Sequence, residues 1–417
     1  MTGTMNQVED SASSLADSPG ESRIHAATLQ DLSDFSVTLG GPLYQLYLRA
    51  RIVRPPLDLL GRRVVVISLF TWFPLLLLSL ASGRAWGGAR VPFLLDIEAY
   101  VRFLASLPLL IFAEVLVHQR IRRILFEFEN RRIITPDTEA AFDRIMLSAK
   151  RWRNSVWAEV VLLTLVVTIG QMIWRRHIAL QSATWYAEPT AEGSRLTLPG
   201  VYYAFVSMTI FRFILFRWYY RLILWFVFLV RVSRLPLRLV ATHPDRAGGL
   251  EFLQGSAYAI TPVLVAQSLL MAGLFANRIF YEGAKLPMFR LEILGMLLLF
   301  MLLALGPLLV FAPNIMACRR RGLIEFGKFG SDYTRAFEQK WLDGQREPGE
   351  PLLGTGDIQS LADLGNSYEI IRGMNGLPFG RQAVVRLGVA TLLPFAPLVL
   401  TMVPLEQLVD RVFKSLF

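Results

Sequence analysis

The chain has 417 residues, 53% of them hydrophobic and 18% charged, with a mean hydropathy of +0.43, too apolar for an ordinary soluble domain. Its net charge of +10 comes without a nucleic-acid recognition motif, so the basic residues are read as loops on one side of a bilayer and nucleic acid is excluded as a partner. One cysteine, Cys318, excludes an intrachain disulfide, and four scattered histidines leave no metal-ligand spacing and no expected cofactor.

Residues 1–41 are rich in Ser, Asp, Glu and Gly, with neither a basic n-region nor an apolar h-region, and read as a disordered cytosolic tail. Seven stretches follow that can cross about 30 Å of hydrocarbon: 64–82, 97–119, 155–174, 200–232, 256–276, 293–313 and 384–404. The tail and alternate loops carry 27 Lys and Arg, the opposite loops 10, which places the N-terminus in the cytoplasm and the C-terminus outside. The expected fold is all-α: a polytopic transmembrane helical bundle whose helices extend into a cytosolic helical subdomain. Spans one to six occupy 42–313, with cytosolic extensions at 120–154 and 233–255. Cytosolic amphipathic helices follow at 314–383, then the seventh span and an interfacial helix at 405–417 on the outer leaflet.

Three spans outrun the membrane. The fourth has no Gly or Pro from Val201 to Leu235 and reads as one helix of about 50 Å. The second runs from Ile97 to about Arg132 with Pro108 as its one expected kink. The third starts early at "TPDTEAAF", with Thr135 as N-cap and Pro136 in the first turn, and continues without a breaker through Trp174. The overshoots carry apolar residues at helical spacing: Ile121, Leu125 and Phe128, then Phe142, Ile145, Met146 and Trp152. After the sixth span, Phe326, Phe329, Tyr333, Phe337 and Trp341 form an aromatic stripe, a candidate surface for a protein partner. "REPGEPLLG" (346–354) breaks that helix, and a second begins at Asp357 as cap, with Leu361, Leu364, Tyr368 and Ile371 on one face. Pro394, Pro397 and Pro404 predict a kinked seventh span.

Charges inside the spans are the main candidate site. Arg212, Arg217 and Arg221 lie in the fourth span, Glu114 in the second and Glu159 in the third, so a buried cluster is expected, either a lock on helix register or a permeation site. Arg212 and Arg221 fall on opposite sides of their helix, which argues against a voltage-sensing stripe. Near the outer face, Asp96, Glu98 and Arg102 suggest either a solvated helix pair or a vestibule that attracts cations. "HPDRAGGLEF" (243–252) places His243, Asp245 and Arg246 in a tight cytosolic turn that is either structural or a ligand contact. "GLIEFGKF" (322–329) matches a phosphate loop only formally, because it lacks the Ser or Thr for magnesium and follows no strand.

The segments "HPDRAGGL", "RWYYRLILW", "PFLLDIEAYVRFLASLPLL" and "LLGTGDIQSLADL" resemble those of a bacterial family of multi-pass inner-membrane proteins of about seven spans, from about Gly41 onwards. The resemblance implies an inner-membrane location and a helical fold, and it transfers no function or site residue. Beyond the lipid bilayer, a second copy or another protein is an open partner. Three classes remain: transport or permeation of an ion or small solute, a membrane scaffold or signalling protein acting through its cytosolic helices, and, last for want of a nucleophile or cofactor motif, an intramembrane enzyme.

Overall fold

A computed structural model of the chain describes residue 45 and residues 60–177, 184–190, 193–345, 348–351 and 354–402. The tail expected at 1–41 and the interfacial helix expected at 405–417 lie outside the described residues. In chain order the helices are α1 (Leu60–Ala81), α2 (Ile97–Asn130), α3 (Pro136–Arg153), α4 (Val156–His177), α5 (Leu198–Ser233), α6 (Glu251–Glu282), α7 (Leu286–Trp341), α8 (Asp357–Arg372) and α9 (Arg381–Met402). Between α4 and α5 stands one antiparallel hairpin, β1 (Ala187–Thr190) and β2 (Gly193–Leu196), which the hydropathy pattern did not announce.

Helices dominate because a spanning segment in lipid must satisfy its own backbone hydrogen bonds. Among the described residues, six helices, α1, α2, α5, α6, α7 and α9, are long and apolar enough to cross a membrane. The chain is an integral, multi-pass membrane protein. The third expected span falls in α4, whose apolar part, Val156–Thr168, is shorter than the others.

Local chemistry explains most boundaries. Thr135 and Thr138 form a reciprocal cap at the start of α3, with Pro136 in the first turn. The helix expected to run on through Trp174 instead breaks at Asn154 and Ser155. Asn154 closes α3, and the Ser155 hydroxyl accepts from the Ala158 N–H at 3.4 Å to open α4. Ser and Asn compete for backbone hydrogen bonds and so favour such ends. Pro108 produces no chain break: a π-helical turn at Val101–Ser106 precedes it, widening the helix where the proline lacks an N–H. A second π-turn, Tyr203–Ser207, sits at the matching end of α5, which otherwise continues unbroken to Ser233.

The sixth span and the aromatic-stripe helix are one run, with no break near residue 313. It has 3-10 geometry in its first turn, Leu286–Phe289, and again at Gly306–Phe311, around Pro307, and extends about 80 Å, far beyond a bilayer. Asp357 is the first residue of α8, with Gly356 in the cap position, which corrects its expected role as cap. In α9, 3-10 turns at Leu393–Phe395 and Leu400–Met402 mark the kinks expected around Pro394 and Pro397.

The overshoots of α2, α3 and α5 do pack on one another. Phe128 meets Phe142 at 5.9 Å between centroids, Phe142 meets Phe228 at 6.1 Å, and Phe252 of α6 closes on Phe128 edge-on at 5.1 Å. Phe128, Phe142 and Phe228 are buried, each contributing roughly 1.5–3 kcal/mol. Trp152, expected to join them, is instead 57% exposed. The end of the bundle that holds this subdomain, rich in Arg and Lys, is called the basic face below. The hairpin marks the opposite face.

Candidate functional site

Four helices contribute to one ionic network centred on the Glu114 carboxylate. Glu114 stands midway along α2, against which α1 packs, while α5 packs against α4. Arg217 and Arg221, four residues apart, share one face of α5 and reach Glu114 Oε1 at 3.4 and 2.8 Å. Arg217 also pairs with Glu159 of α4 at 3.3 Å. The other oxygen of Glu114 is held at 2.7 Å by Arg63 of α1, whose guanidinium also donates to the Ile111 carbonyl at 3.1 Å. Trp218 fixes the geometry from the side: its ring lies 5.1 Å beneath the Arg221 guanidinium, and its indole N–H donates to the Leu110 carbonyl at 3.0 Å.

Arg63, 1% exposed, is not among the candidate residues that the sequence singles out. The available signal was its place inside the first turn of an apolar helix. Arg212 departs from the expected cluster. Its electrostatic neighbours are Tyr203 and Arg102, towards the hairpin face.

Helix lengths set the depth of the network. Counting about 20 residues, one hydrocarbon thickness, inward from the hairpin-side ends of α1, α2, α4 and α5 arrives near Arg63, Val117, Trp157 and Trp218. All five ionic groups therefore lie at one level, near the edge of the hydrocarbon on the basic side. The extensions of α2 and α5, with α3, cover them from below. Buried there, each charge requires its partners, because an unpaired ion in such a medium costs several kcal/mol.

The group on the hairpin face is a packed cap. Asp96 is buried and saturated, accepting from the Ala99 N–H at 3.2 Å, the Asn277 side-chain amide at 2.8 Å and the Trp185 indole N–H at 2.7 Å. Glu98 and Arg102 form an ion pair with side chains only 23% and 13% exposed, so the solvated pair allowed by the sequence is instead mostly covered. Arg102 also donates to the Tyr203 hydroxyl. Tyr186 stacks on Tyr203 at 5.4 Å, and burial pushes its phenol well above the ordinary range.

On the basic face, Asp245 organises the HPDRAGGL loop. One carboxylate oxygen accepts from the N–H groups of Ala247 and Gly249 at 2.9 and 3.1 Å, the other from Glu251 at 3.1 Å. Positive φ at Arg246, Gly248 and Gly249 (54°, 69° and 97°) lets the chain wrap this one side chain. His243 Nδ1 lies 2.9 Å from Asp245, and the Arg246 guanidinium lies over Gly373, just past α8. These contacts make the loop a clamp between the spans and α8.

The aromatic stripe is partly spent inside the chain. The Trp341 indole and Lys340 donate to the Asp357 carboxylate at 3.0 and 2.8 Å, and the Tyr333 hydroxyl to the Asp357 carbonyl at 3.2 Å. Hydrogen bonds from Lys340 and Trp341 hold the Asp357 carboxyl below its usual range. Phe337 is half-buried and Phe329 remains 57% exposed.

No family model, curated protein or solved structure matches this chain. Among the described residues, no three His, Cys, Asp or Glu side chains gather where they could hold a metal ion.

Proposed function

We propose that the protein moves an ion or small solute across a membrane, with the network of Arg63, Glu114, Glu159, Arg217 and Arg221 as the point where the permeating species meets charge. The observation that carries this reading is the burial of five ionisable side chains from four helices at one depth. Ionisable residues inside spans are costly and mark solute or proton paths. Helix register alone could be held by apolar packing of the same volume at equal or better stability. The basic face is assigned to the cytoplasm, and the HPDRAGGL-type resemblance assigns the membrane to the bacterial inner membrane.

A second reading, a scaffold for a protein partner, draws on exposed apolar residues of α7 and the segments around α8: Ile324, Phe329, Leu342 and Ile358. It is weakened by the engagement of Tyr333 and Trp341 with Asp357.

Purified protein in liposomes tests the first reading. Solute flux above that of empty liposomes, altered by Glu159→Gln or Arg221→Gln in protein that stays monodisperse, is the expected result. Flux equal to empty liposomes under proton, cation and anion gradients ends it in favour of the scaffold.

A further inference from the structure

The helix count that sets the depth of the network also shows which side chains meet the lipid headgroups, a layer about 5–10 Å deep just beyond the hydrocarbon. On the basic side that layer takes in residues 60–62 of α1, 117–124 of α2 and 150–157 where α3 passes into α4. No Asp or Glu stands in these three stretches, while Arg62, Arg122, Arg123 and Arg151 are all exposed there. Among the described residues, none of these four enters an ion pair. At the same depth α5, α6 and α7 bring one charge, Arg221, which is buried in the network, and their exposed side chains include the apolar Ile223 and Leu309. The positive belt is therefore one-sided.

Two tryptophans lie in the same belt. Trp157, 78% exposed, falls at the counted hydrocarbon edge, and Trp152 precedes it by five residues. The Tyr220 hydroxyl donates to the Trp152 carbonyl at 2.7 Å, which pins this corner to α5 and leaves the indole outside the core. An indole is well placed where hydrocarbon gives way to headgroups, and a guanidinium fork pairs with two phosphate oxygens at once. A zwitterionic headgroup brings its own cation, for which these stretches offer no carboxylate. An anionic headgroup brings none.

We infer that the α1–α2–α3 flank of the basic face is a binding surface for anionic phospholipid. The phosphates rest on Arg62, Arg122, Arg123 and Arg151, and Trp152 and Trp157 are seated among the lipids at that edge. The inference needs only the multi-pass fold and is independent of the transport reading.

Full-length protein in phosphatidylcholine liposomes tests it, with part of the lipid replaced by brominated phosphatidylglycerol or, in parallel, brominated phosphatidylcholine. Bromine quenches the fluorescence of a tryptophan that it touches. The glycerol lipid is expected to quench at a mole fraction lower by about fivefold or more, the worth of one Arg near an anionic surface. Trp152→Phe with Trp157→Phe should remove most of that difference. Changing the four arginines to Gln together should make the two lipids equivalent, whereas Arg290→Gln, exposed at the hairpin-side start of α7, should keep the full preference. Equal quenching by the two lipids in the unaltered protein overturns the inference. So does a preference that survives loss of the four arginines in protein that stays monodisperse. Should the fourfold variant fail to fold, Arg123→Gln and Arg151→Gln taken singly decide: a weakened preference in either supports the surface, and an unchanged one in both overturns it.

Discussion

Arg221 and Glu114 are 107 residues apart in sequence, yet the guanidinium donates to the carboxylate at 2.8 Å inside the bundle. Arg63 takes the other oxygen of the same carboxylate, so one side chain ties α1, α2 and α5 together.

Removing that carboxylate should cost more than removing either arginine that shares its first oxygen. Glu114→Gln takes the shared carboxylate from three buried guanidiniums, of which Arg217 keeps Glu159, and is expected to destabilise by about 3–5 kcal/mol. Thermal unfolding in detergent measures it. In a double-mutant cycle, Glu114→Gln with Arg221→Gln should be markedly less destabilising than the two single losses added together.

Gly322 of α7 has no room for a side chain. A Cβ there would stand 2.5 Å from the Ala241 Cβ and 3.1 Å from Ile371, which is fully buried on α8. Gly322→Ala should cost about 1–3 kcal/mol and loosen α8 from the spans, seen as faster proteolysis within 346–380. Gly330→Ala, with open space at its Cβ, is the matched control.

Asp245→Ala removes the acceptor of three backbone N–H groups in the HPDRAGGL loop. The orphaned donors should cost about 1–3 kcal/mol in total, or more where water cannot reach them. Hydrogen exchange at Ala247, Gly249 and Glu251 should rise before exchange in α2 or α5. Unchanged protection at those three amides would contradict the clamp.

The Asp357 clasp between α7 and α8 should be pH-dependent in one direction. Its folded carboxyl titrates below the unfolded value, so its contribution is fully present above about pH 4 and fades as pH falls through the lowered value. Protection of α8 amides, corrected for the intrinsic pH dependence of exchange, should therefore be flat from about pH 5 to 8 and lower near pH 3. Asp357→Asn should abolish that difference.

The helical runs, though not the β1–β2 hairpin, were legible because their cause is local: an apolar run must be a helix in lipid, and Thr135 with Pro136 starts a helix wherever it stands. The overshooting helices were legible for the same reason, since length against bilayer thickness needs no partner. Local competition also set the break at Asn154–Ser155, where two cap-favouring residues stand side by side at the foot of an apolar run.

The sequence by itself determined that this chain lives in a membrane, that α5 runs unbroken past it, and that Glu114, Glu159, Arg217 and Arg221 cannot stay unpaired in oil. Only the tertiary structure decided who pairs with whom. It brought in Arg63 and sent Arg212 towards Arg102, turned Asp245 inward as a backbone anchor, and spent Trp341 and Lys340 on Asp357. The reason is physical: hydropathy and caps act within one helix, whereas the partner of a buried charge depends on the depth and rotation at which neighbouring helices meet.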